Sequence, residues 1–151
     1  MAHSGGWDHA VKDPDYVARV QASFAKQRVM QTIGATLERV GPGEAVIALP
    51  FRDDLTQQHG FVHAGIVAAI LDSACGYAAF SLMPADAEVL SVEYKINLTA
   101  PARGERFVAR GRVKRPGRTI TVCEGEVHAH GEGEPKLVAT MLATMMAVRR
   151  R

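Results

Sequence analysis

The stretch from His59 to Phe80, HGFVHAGIVAAILDSACGYAAF, constrains the fold more than any other part of this chain. It is almost continuously apolar, and from residue 64 onward it is long enough to form a helix that is buried on most of its sides. A single carboxylate, Asp72, lies in the middle of it. Because an ionised side chain is costly to bury unless it is paired or takes part in chemistry, the role of Asp72 is the first question that this sequence raises.

The helix predicted for residues 64–81 places small residues on the face that carries Asp72. Residues three, four and seven positions away share a helix face, and for Asp72 these neighbours are Gly65, Ala68, Ala69, Cys75, Gly76 and Ala79. Such a stripe leaves room for another backbone or a ligand to approach the acid. The alternative interpretation is that Asp72 is an acid at the exposed edge of a mostly buried helix.

The residues before this helix favour a ligand. His63 stands at the helix entry, nine residues before Asp72, and Gln57 lies six residues before His63. The first N–H groups of a helix have no partner within the helix and favour negative charge. A polar loop, a free helix N-terminus and a carboxylate two turns further on are the components of an acyl-transfer site. The N–H groups can hold an oxyanion, and the carboxylate can activate water or attack.

The rest of the chain predicts an α+β fold in a single domain. Residues 1–12 are polar and are predicted to be a loose terminus, and residues 13–151 are long enough to bury one core. Hydrophobic periodicity predicts an extra N-terminal helix over residues 15–28 and strands over residues 32–39, 44–50, 90–98, 106–114, 119–130 and 136–148. One helix followed by a run of antiparallel strands is typical of a sheet packed on that helix.

The strand over residues 90–98 has the clearest pattern. Its apolar residues alternate with the polar residues Ser91, Glu93, Lys95 and Asn97, which predicts one buried and one exposed face. The predicted buried face consists of Leu90, Val92, Tyr94, Ile96 and Leu98.

Composition excludes several function classes. The chain is 47% hydrophobic and 23% charged, and its formal net charge of +2 is too small to imply nucleic-acid binding. No apolar stretch of bilayer length lacks Gly, Ser and Asp, so we expect no contact with a membrane, and the start MAHSGGWDH has no signal-peptide core. Cys75 and Cys123 make neither a disulfide framework nor a zinc site, which favours the cytoplasm.

Two histidines near the helix entry do not predict a metal site. His59 and His63 are four residues apart, but they lie mostly in a loop, and no third ligand follows at a recognised spacing. We therefore expect neither a metal nor a cofactor.

The spacing Gln57-x5-His63-Ala64-Gly65-x6-Asp72 resembles that of the PaaI-like hotdog-fold acyl-CoA thioesterases of the phenylacetate-pathway type. The similarity continues through the strand that contains Ser91 and the closing strand LVATMLATMMAV, and it covers roughly residues 30–148. The chain departs from the family at Ala64, where glycine is usual, and at Gln57, where many relatives have Asn. Neither change removes a chemical group that the reaction needs.

The resemblance implies a hotdog, in which a curved antiparallel sheet wraps a long central helix. It implies a homodimer or a dimer of dimers with active sites at the subunit interface. Asp72 would be the catalytic base or nucleophile, the backbone N–H of Ala64 would polarise the thioester carbonyl, and Ser91 would assist the carboxylate. His63 would order the entry loop, and Gln57 would position the substrate or water.

The resemblance also suggests how the substrate is held. Gly65 would belong to the substrate-binding loop. Seven basic residues lie within residues 103–118, and the two that flank the Pro116-Gly117 turn, Arg115 and Arg118, are the candidates for contacts with the phosphates of coenzyme A. The alternative is a solvated strand face balanced by glutamates. The lack of interleaved aromatic residues argues against nucleic acid.

The leading hypothesis is therefore hydrolysis of an acyl-CoA thioester to a free acid and CoA. A second hypothesis is a non-catalytic acyl-CoA binder or sensor that uses the same cleft, although such a protein would not need an acid beside the thioester. A third is a hydratase or dehydratase of the same fold, but the arrangement of His with Asp or Glu that those enzymes typically use is not present.

Overall fold

The structure is a computed structural model that describes residues 9–149. Most of the predicted loose terminus, residues 1–8, lies outside the described residues. The elements are, in chain order, α1 (Tyr16–Lys26), α2 (Arg28–Ile33), β1 (Thr36–Gly41), β2 (Glu44–Pro50), a 3-10 turn (Asp53–Leu55), α3 (Ala64–Phe80), β3 (Ala87–Leu98), β4 (Arg106–Arg115), β5 (Ile120–His130) and β6 (Lys136–Arg149). None of the helices within this range is long and apolar enough to cross a membrane.

The six strands form one antiparallel sheet in the order β1-β2-β4-β5-β6-β3. The sheet packs around α3, which contacts every strand. Its central strands approach the helix backbone closely at Gly111, where an added Cβ would lie 2.4 Å from the backbone of Ala74 and Cys75. A glycine is needed there because any side chain would push α3 away from the sheet. The predicted α+β architecture is confirmed.

The central helix has the predicted extent. It begins at Ala64, directly after His63, and ends at Phe80 with Ser81 as its C-cap. The buried Ser81 hydroxyl donates to the carbonyl of Ala78 and accepts from the backbone N–H of Gly43, which joins the helix end to the β1–β2 turn.

The N-terminal helix is shorter than predicted, and the first predicted strand begins too early. Residues 28–33 form α2, and β1 starts only at Thr36. Val29, Met30 and Ile33 make a short apolar run, and periodicity cannot tell a short helix from a strand in such a run. Gln27 is the non-helical joint between α1 and α2.

Arg19 of α1 bonds to backbone carbonyls at the end of α3 and just after it. The Arg19 guanidinium donates to the carbonyls of Phe80, Met83 and Pro84 at 2.7–3.0 Å and lies over the Phe80 ring. Its Nε is 3.0 Å from the carboxylate of Asp13, which is itself buried. The cation adds donors to one carbonyl at the C-terminus of α3 and to two in the turn that follows it, and it complements the helix dipole.

The predicted buried face of β3 is only partly correct for the single chain, since Ile96 packs on the core and the other four apolar residues do not. Leu90, Val92, Tyr94 and Leu98 are 44–58% exposed. The β3–β6 register shifts between Ser91 and Glu93. This bulge exchanges the two faces of the strand, so Val89 before it and Ile96 after it both pack on the core.

Candidate active site

The bulge in β3 brings Ser91 to the acid of the central helix. The Ser91 hydroxyl donates to Asp72 Oδ1 at 2.7 Å. Asp72 is half-buried and lines a cleft of about 300 Å³ between α3, β3 and the α1–α2 joint. The structure therefore places Asp72 beside a cavity, and not at a plain solvent edge of the helix.

The surroundings of Asp72 favour its neutral form. Burial raises the pKa of the Asp72 carboxyl above its ordinary value, and the hydrogen bond from Ser91 opposes part of this rise. A carboxylate with a raised pKa is a stronger base than an exposed one, and such tuning is typical of general bases.

The two thiols near the acid are packing residues. Cys75 and Cys123 are buried, and the Cys123 thiol points at the Cys75 carbonyl from 3.4 Å. Burial raises the pKa of the Cys123 thiol to about 12 and also raises that of Cys75. Neither thiol is ionised at neutral pH, so neither is a candidate nucleophile.

The entry of α3 leaves one backbone donor available. His63 is the N-cap, and its Nδ1 accepts the backbone N–H of Gly65 at 2.8 Å. Nδ1 is thus an acceptor in this cap, and Nε2 is left to face other partners. The N–H of Ala64, the first helical residue, has no acceptor among residues 9–149 and lies at the helix terminus, where negative charge is favoured.

The Ala64-Gly65 pair fits this entry. Ala64 has ordinary helical geometry, since no described residue other than glycine has a positive φ. Position 65 is restricted to glycine by the N-cap, because a Cβ there would lie 3.0 Å from His63 Nδ1 and disturb the cap. Alanine is therefore compatible with a backbone donor at position 64, whereas position 65 needs glycine.

Gln57 shapes the loop before the helix. Its Oε1 accepts the backbone N–H groups of His59 and Phe61 at 2.5 and 3.4 Å. The amide NH₂ has no acceptor in the described chain and is available to a ligand. Gln57 and Ala64 line one cavity of about 480 Å³, together with residues 98–102 that follow β3.

The structure does not bring the Ala64 donor and Asp72 together within one chain. They are eight residues apart in α3, which is about 12 Å along the helix axis. They line different cavities. We call Asp72 and Ser91 the carboxylate half-site, and Gln57, His63, Ala64 and Gly65 the oxyanion half-site.

The basic residues of β4 divide into two groups. Arg106, Arg110 and Lys114 pair with Glu38, Glu44 and Glu124. Arg115 and Arg118 are exposed, and no carboxylate of the described chain pairs with either. Arg112, exposed on the strand face, also has no carboxylate partner among residues 9–149. The strand face is thus mostly the balanced, solvated surface of the alternative interpretation, and neither basic residue that flanks the turn is paired.

Comparison with known proteins places this fold in a family. The model of the thioesterase superfamily matches residues 59–136, just over half of the chain. The chain belongs to the thioesterase superfamily. A relative from Halobacterium salinarum, whose name proposes an esterase, is 30% identical over 115 residues, which are 73% of this chain and 76% of the relative.

Solved structures agree with this membership. A thioesterase-family protein from Silicibacter pomeroyi is 52% identical, with a TM-score of 0.88, over 89% of this chain and 99% of the other. The PaaI protein of the E. coli phenylacetic acid degradation operon has a TM-score of 0.80 at 17% identity, over 89% and 94% of the two chains, which shows a shared fold. The predicted PaaI-like hotdog thioesterase is confirmed as family and fold, and the superfamily is one of thioester hydrolases.

Sequence reasoning missed one part of this candidate site. Ser23, Gln27, Ser73 and Tyr77 form a polar cluster beside Asp72, and all four line its cleft. The signal was present, because Gln27 is three residues after Phe24 and seven after Val20 and so continues the apolar face of the predicted helix. A glutamine on an apolar face needs a partner.

Two other features lie apart from the half-sites. A groove of about 780 Å³ is lined by β-strand residues that include Arg110, Glu126 and His128 and not by Asp72 or Ala64. Within residues 9–149, no group of three His, Cys, Asp or Glu side chains is arranged to hold a metal ion.

Proposed function

We propose that this protein hydrolyses acyl-CoA thioesters at sites that two copies of the chain build together. The observation that carries the proposal is the position of the two half-sites on one helix. Each half-site has the chemistry for half of the reaction: a basic carboxylate held by Ser91 in one, and an unused helix N–H at Ala64 in the other.

A single chain cannot apply both groups to one carbonyl. An oxyanion donor works at about 3 Å from the oxygen that it stabilises, and a general base acts within hydrogen-bond reach of the attacking water. The two groups must then lie within a few ångströms of the same carbonyl, whereas about 12 Å of helix separates them.

Strand β3 supplies the geometry for pairing two copies. It is an edge strand of 12 residues with one open edge, and it exposes Leu90, Val92, Tyr94 and Leu98. Long apolar edges of this kind are usually covered. The carboxylate half-site borders the start of β3, and the oxyanion half-site borders its end.

Antiparallel pairing of β3 with the same strand of a second copy brings complementary half-sites together. The start of one strand then meets the end of the other, with a two-fold axis near Tyr94. Asp72 of each chain faces the Ala64 N–H of its partner, and a two-fold contact generates two identical sites. A dimer is thus the smallest active unit, and a dimer of dimers is compatible with it.

The reaction in such a site is addition followed by elimination. Asp72 takes a proton from water as the water oxygen bonds to the thioester carbon, and the Ala64 N–H stabilises the resulting oxyanion. The carbon–sulfur bond then breaks, the CoA sulfur receives the proton, and the products are a free acid and CoA. Direct attack by the Asp72 carboxylate, giving an anhydride that water cleaves, is the second course.

The remaining residues of the oxyanion half-site organise the approach of the substrate. His63 fixes the helix entry, Gly65 makes room for its ring, and the Gln57 amide holds the substrate or water. Arg115 and Arg118 carry charge that phosphates of CoA can neutralise. Their turn is level with Ser91, because Thr121 pairs with Met145 and Met145 with Ser91 across the sheet.

The test is release of free thiol from a panel of acyl-CoA thioesters by the parent and by Asp72→Asn. We expect turnover by the parent and a fall in kcat of about 10²–10⁴ in the variant, the usual contribution of a general base. Equal turnover by the two proteins contradicts the mechanism. Tight binding of CoA esters by the parent without CoA release identifies a binder or sensor instead.

A further inference from the structure

The cleft beside Asp72 ends in a polar cluster that hydrolysis itself does not need. Gln27 Nε2 donates to Ser73 Oγ at 3.0 Å, and the Tyr77 hydroxyl donates to Gln27 Oε1 at 3.3 Å. The Ser23 hydroxyl is 3.4 Å from that of Tyr77. Tyr77 and Ser73 are buried, and the rings of Phe24 and Phe80 pack against Tyr77.

Two donors of this cluster have no acceptor within the described chain. The Gln27 amide has two N–H groups, of which one is used by Ser73. Ser73 accepts that bond, and its own hydroxyl proton has no acceptor among residues 9–149. Ser73 is buried, where an unpaired polar group is costly, whereas Gln27 is half-buried, and both donors line the cleft that holds Asp72.

Gly76 keeps the space between the acid and the cluster open. It lies one helical turn after Asp72, it is buried, and a Cβ added there would meet no atom within 4 Å. Glycine inside a helix costs about 1 kcal/mol relative to alanine. The helix therefore has a glycine, which is unfavourable in a helix, at the position where a larger side chain would enter the cleft.

We propose that this cleft is the acyl subsite, and that Gln27 and Ser73 select a compact acyl group with a hydroxyl or keto oxygen at its far end. The inference rests on the proposed function and names its substrate class. The Gln27 amide bridges Ser73 and Tyr77. Tyr77 lies five residues after Asp72, about 7.5 Å along the helix, so an acyl chain of about six carbons reaches from Asp72 to the Tyr77 end of this bridge. The cleft volume of about 300 Å³ is at the low end for ligand pockets and suits a short acyl group.

The test uses a pair of substrates that differ in one oxygen, hexanoyl-CoA and 6-hydroxyhexanoyl-CoA. A site built to hydrogen-bond a hydroxyl discriminates strongly against the analogue without it, so we expect the parent to prefer the hydroxylated ester by about tenfold or more in kcat/KM. Gln27→Met should bring the two values together by lowering the value for the hydroxylated ester much more than the value for hexanoyl-CoA. Gln31→Met, which alters an exposed glutamine that bonds to the Ala25 carbonyl, is the matched control and should keep the preference.

A second variant tests the size of the subsite. Gly76→Ala should lower kcat/KM for 6-hydroxyhexanoyl-CoA by a larger factor than kcat/KM for acetyl-CoA, and the melting temperature should not fall because alanine favours the helix. Equal use of the paired substrates by the parent, or an unchanged preference in Gln27→Met, overturns the acyl subsite alone. Failure of the parent to hydrolyse any thioester overturns the proposed function, and this inference with it.

Discussion

At the scale of single residues, Asp72 links activity to stability. Burial raises the pKa of its carboxyl in the folded state, so the folded protein keeps this proton at a pH where the unfolded chain has released it. Stability therefore decreases as the pH rises from the ordinary value of 3.8 through the higher folded value. The ionised form that the proposed reaction needs is also the form that weakens the fold.

Asp72→Asn should separate these two effects. We expect a higher free energy of unfolding than that of the parent near neutral pH, with a difference that shrinks as the pH falls toward 3.8. The Asn side-chain oxygen can still accept the Ser91 hydroxyl. Urea unfolding at several pH values measures the difference, and Asp53→Asn at an exposed position is the control. A variant that is less stable than the parent at neutral pH contradicts a desolvated acid.

Ser91 should influence the pH below which kcat/KM falls. Its hydrogen bond lowers the pKa of Asp72, so Ser91→Ala should raise that pKa further. Because the ionised carboxylate is the base, the acid limb of kcat/KM against pH should move to higher pH in this variant. A limb that stays in place or moves to lower pH shows that Ser91 does not act on the base.

At the scale of elements, sequence patterns predicted α3 well and β3 only in part. The helix extent follows from residues that mark its ends and from an apolar run too long for a strand. The bulge after Ser91 leaves no trace in the clean alternation of Leu90, Val92 and Tyr94, so its exchange of faces could not be predicted. The contact of Ser91 with Asp72 was expected only through family resemblance.

The contacts that Arg19 makes between α1 and the end of α3 are predicted to contribute strongly to the stability of the N-terminal helices. Arg19→Met removes donors from three carbonyls and leaves the buried Asp13 carboxylate without its cation. Breaking a buried pair on one side costs about 3–5 kcal/mol, so we expect a loss of that order in the free energy of unfolding. Arg28→Met, on the exposed side of α2, is the control and should change it by less than about 0.5 kcal/mol.

At the scale of the whole molecule, the single chain has an uncovered strand edge and an incomplete candidate site. The β3 edge is unpaired and apolar, and the two half-sites on α3 are too far apart to share a carbonyl. One pairing of two copies resolves both. A sequence can reveal the chemistry of each half-site, but it cannot show that the halves do not meet within one chain, because that depends on the length of helix between them.

A mixed dimer of two inactive variants tests this account most directly. Ala64→Pro removes the oxyanion donor, and the site accepts proline because Ala64 is the first helical residue and His63 before it is extended, with φ −58° and ψ 139°. Asp72→Asn removes the base. Each variant alone should lose at least about 10² in kcat.

Co-expression with two different tags allows the mixed dimer to be purified. One of its sites combines Asp72 of the Ala64→Pro chain with the Ala64 N–H of the Asp72→Asn chain and is intact, whereas the other lacks both groups. The account predicts that this mixed dimer recovers about half of the parent kcat per dimer. A folded mixed dimer as inactive as either variant alone would contradict the shared site.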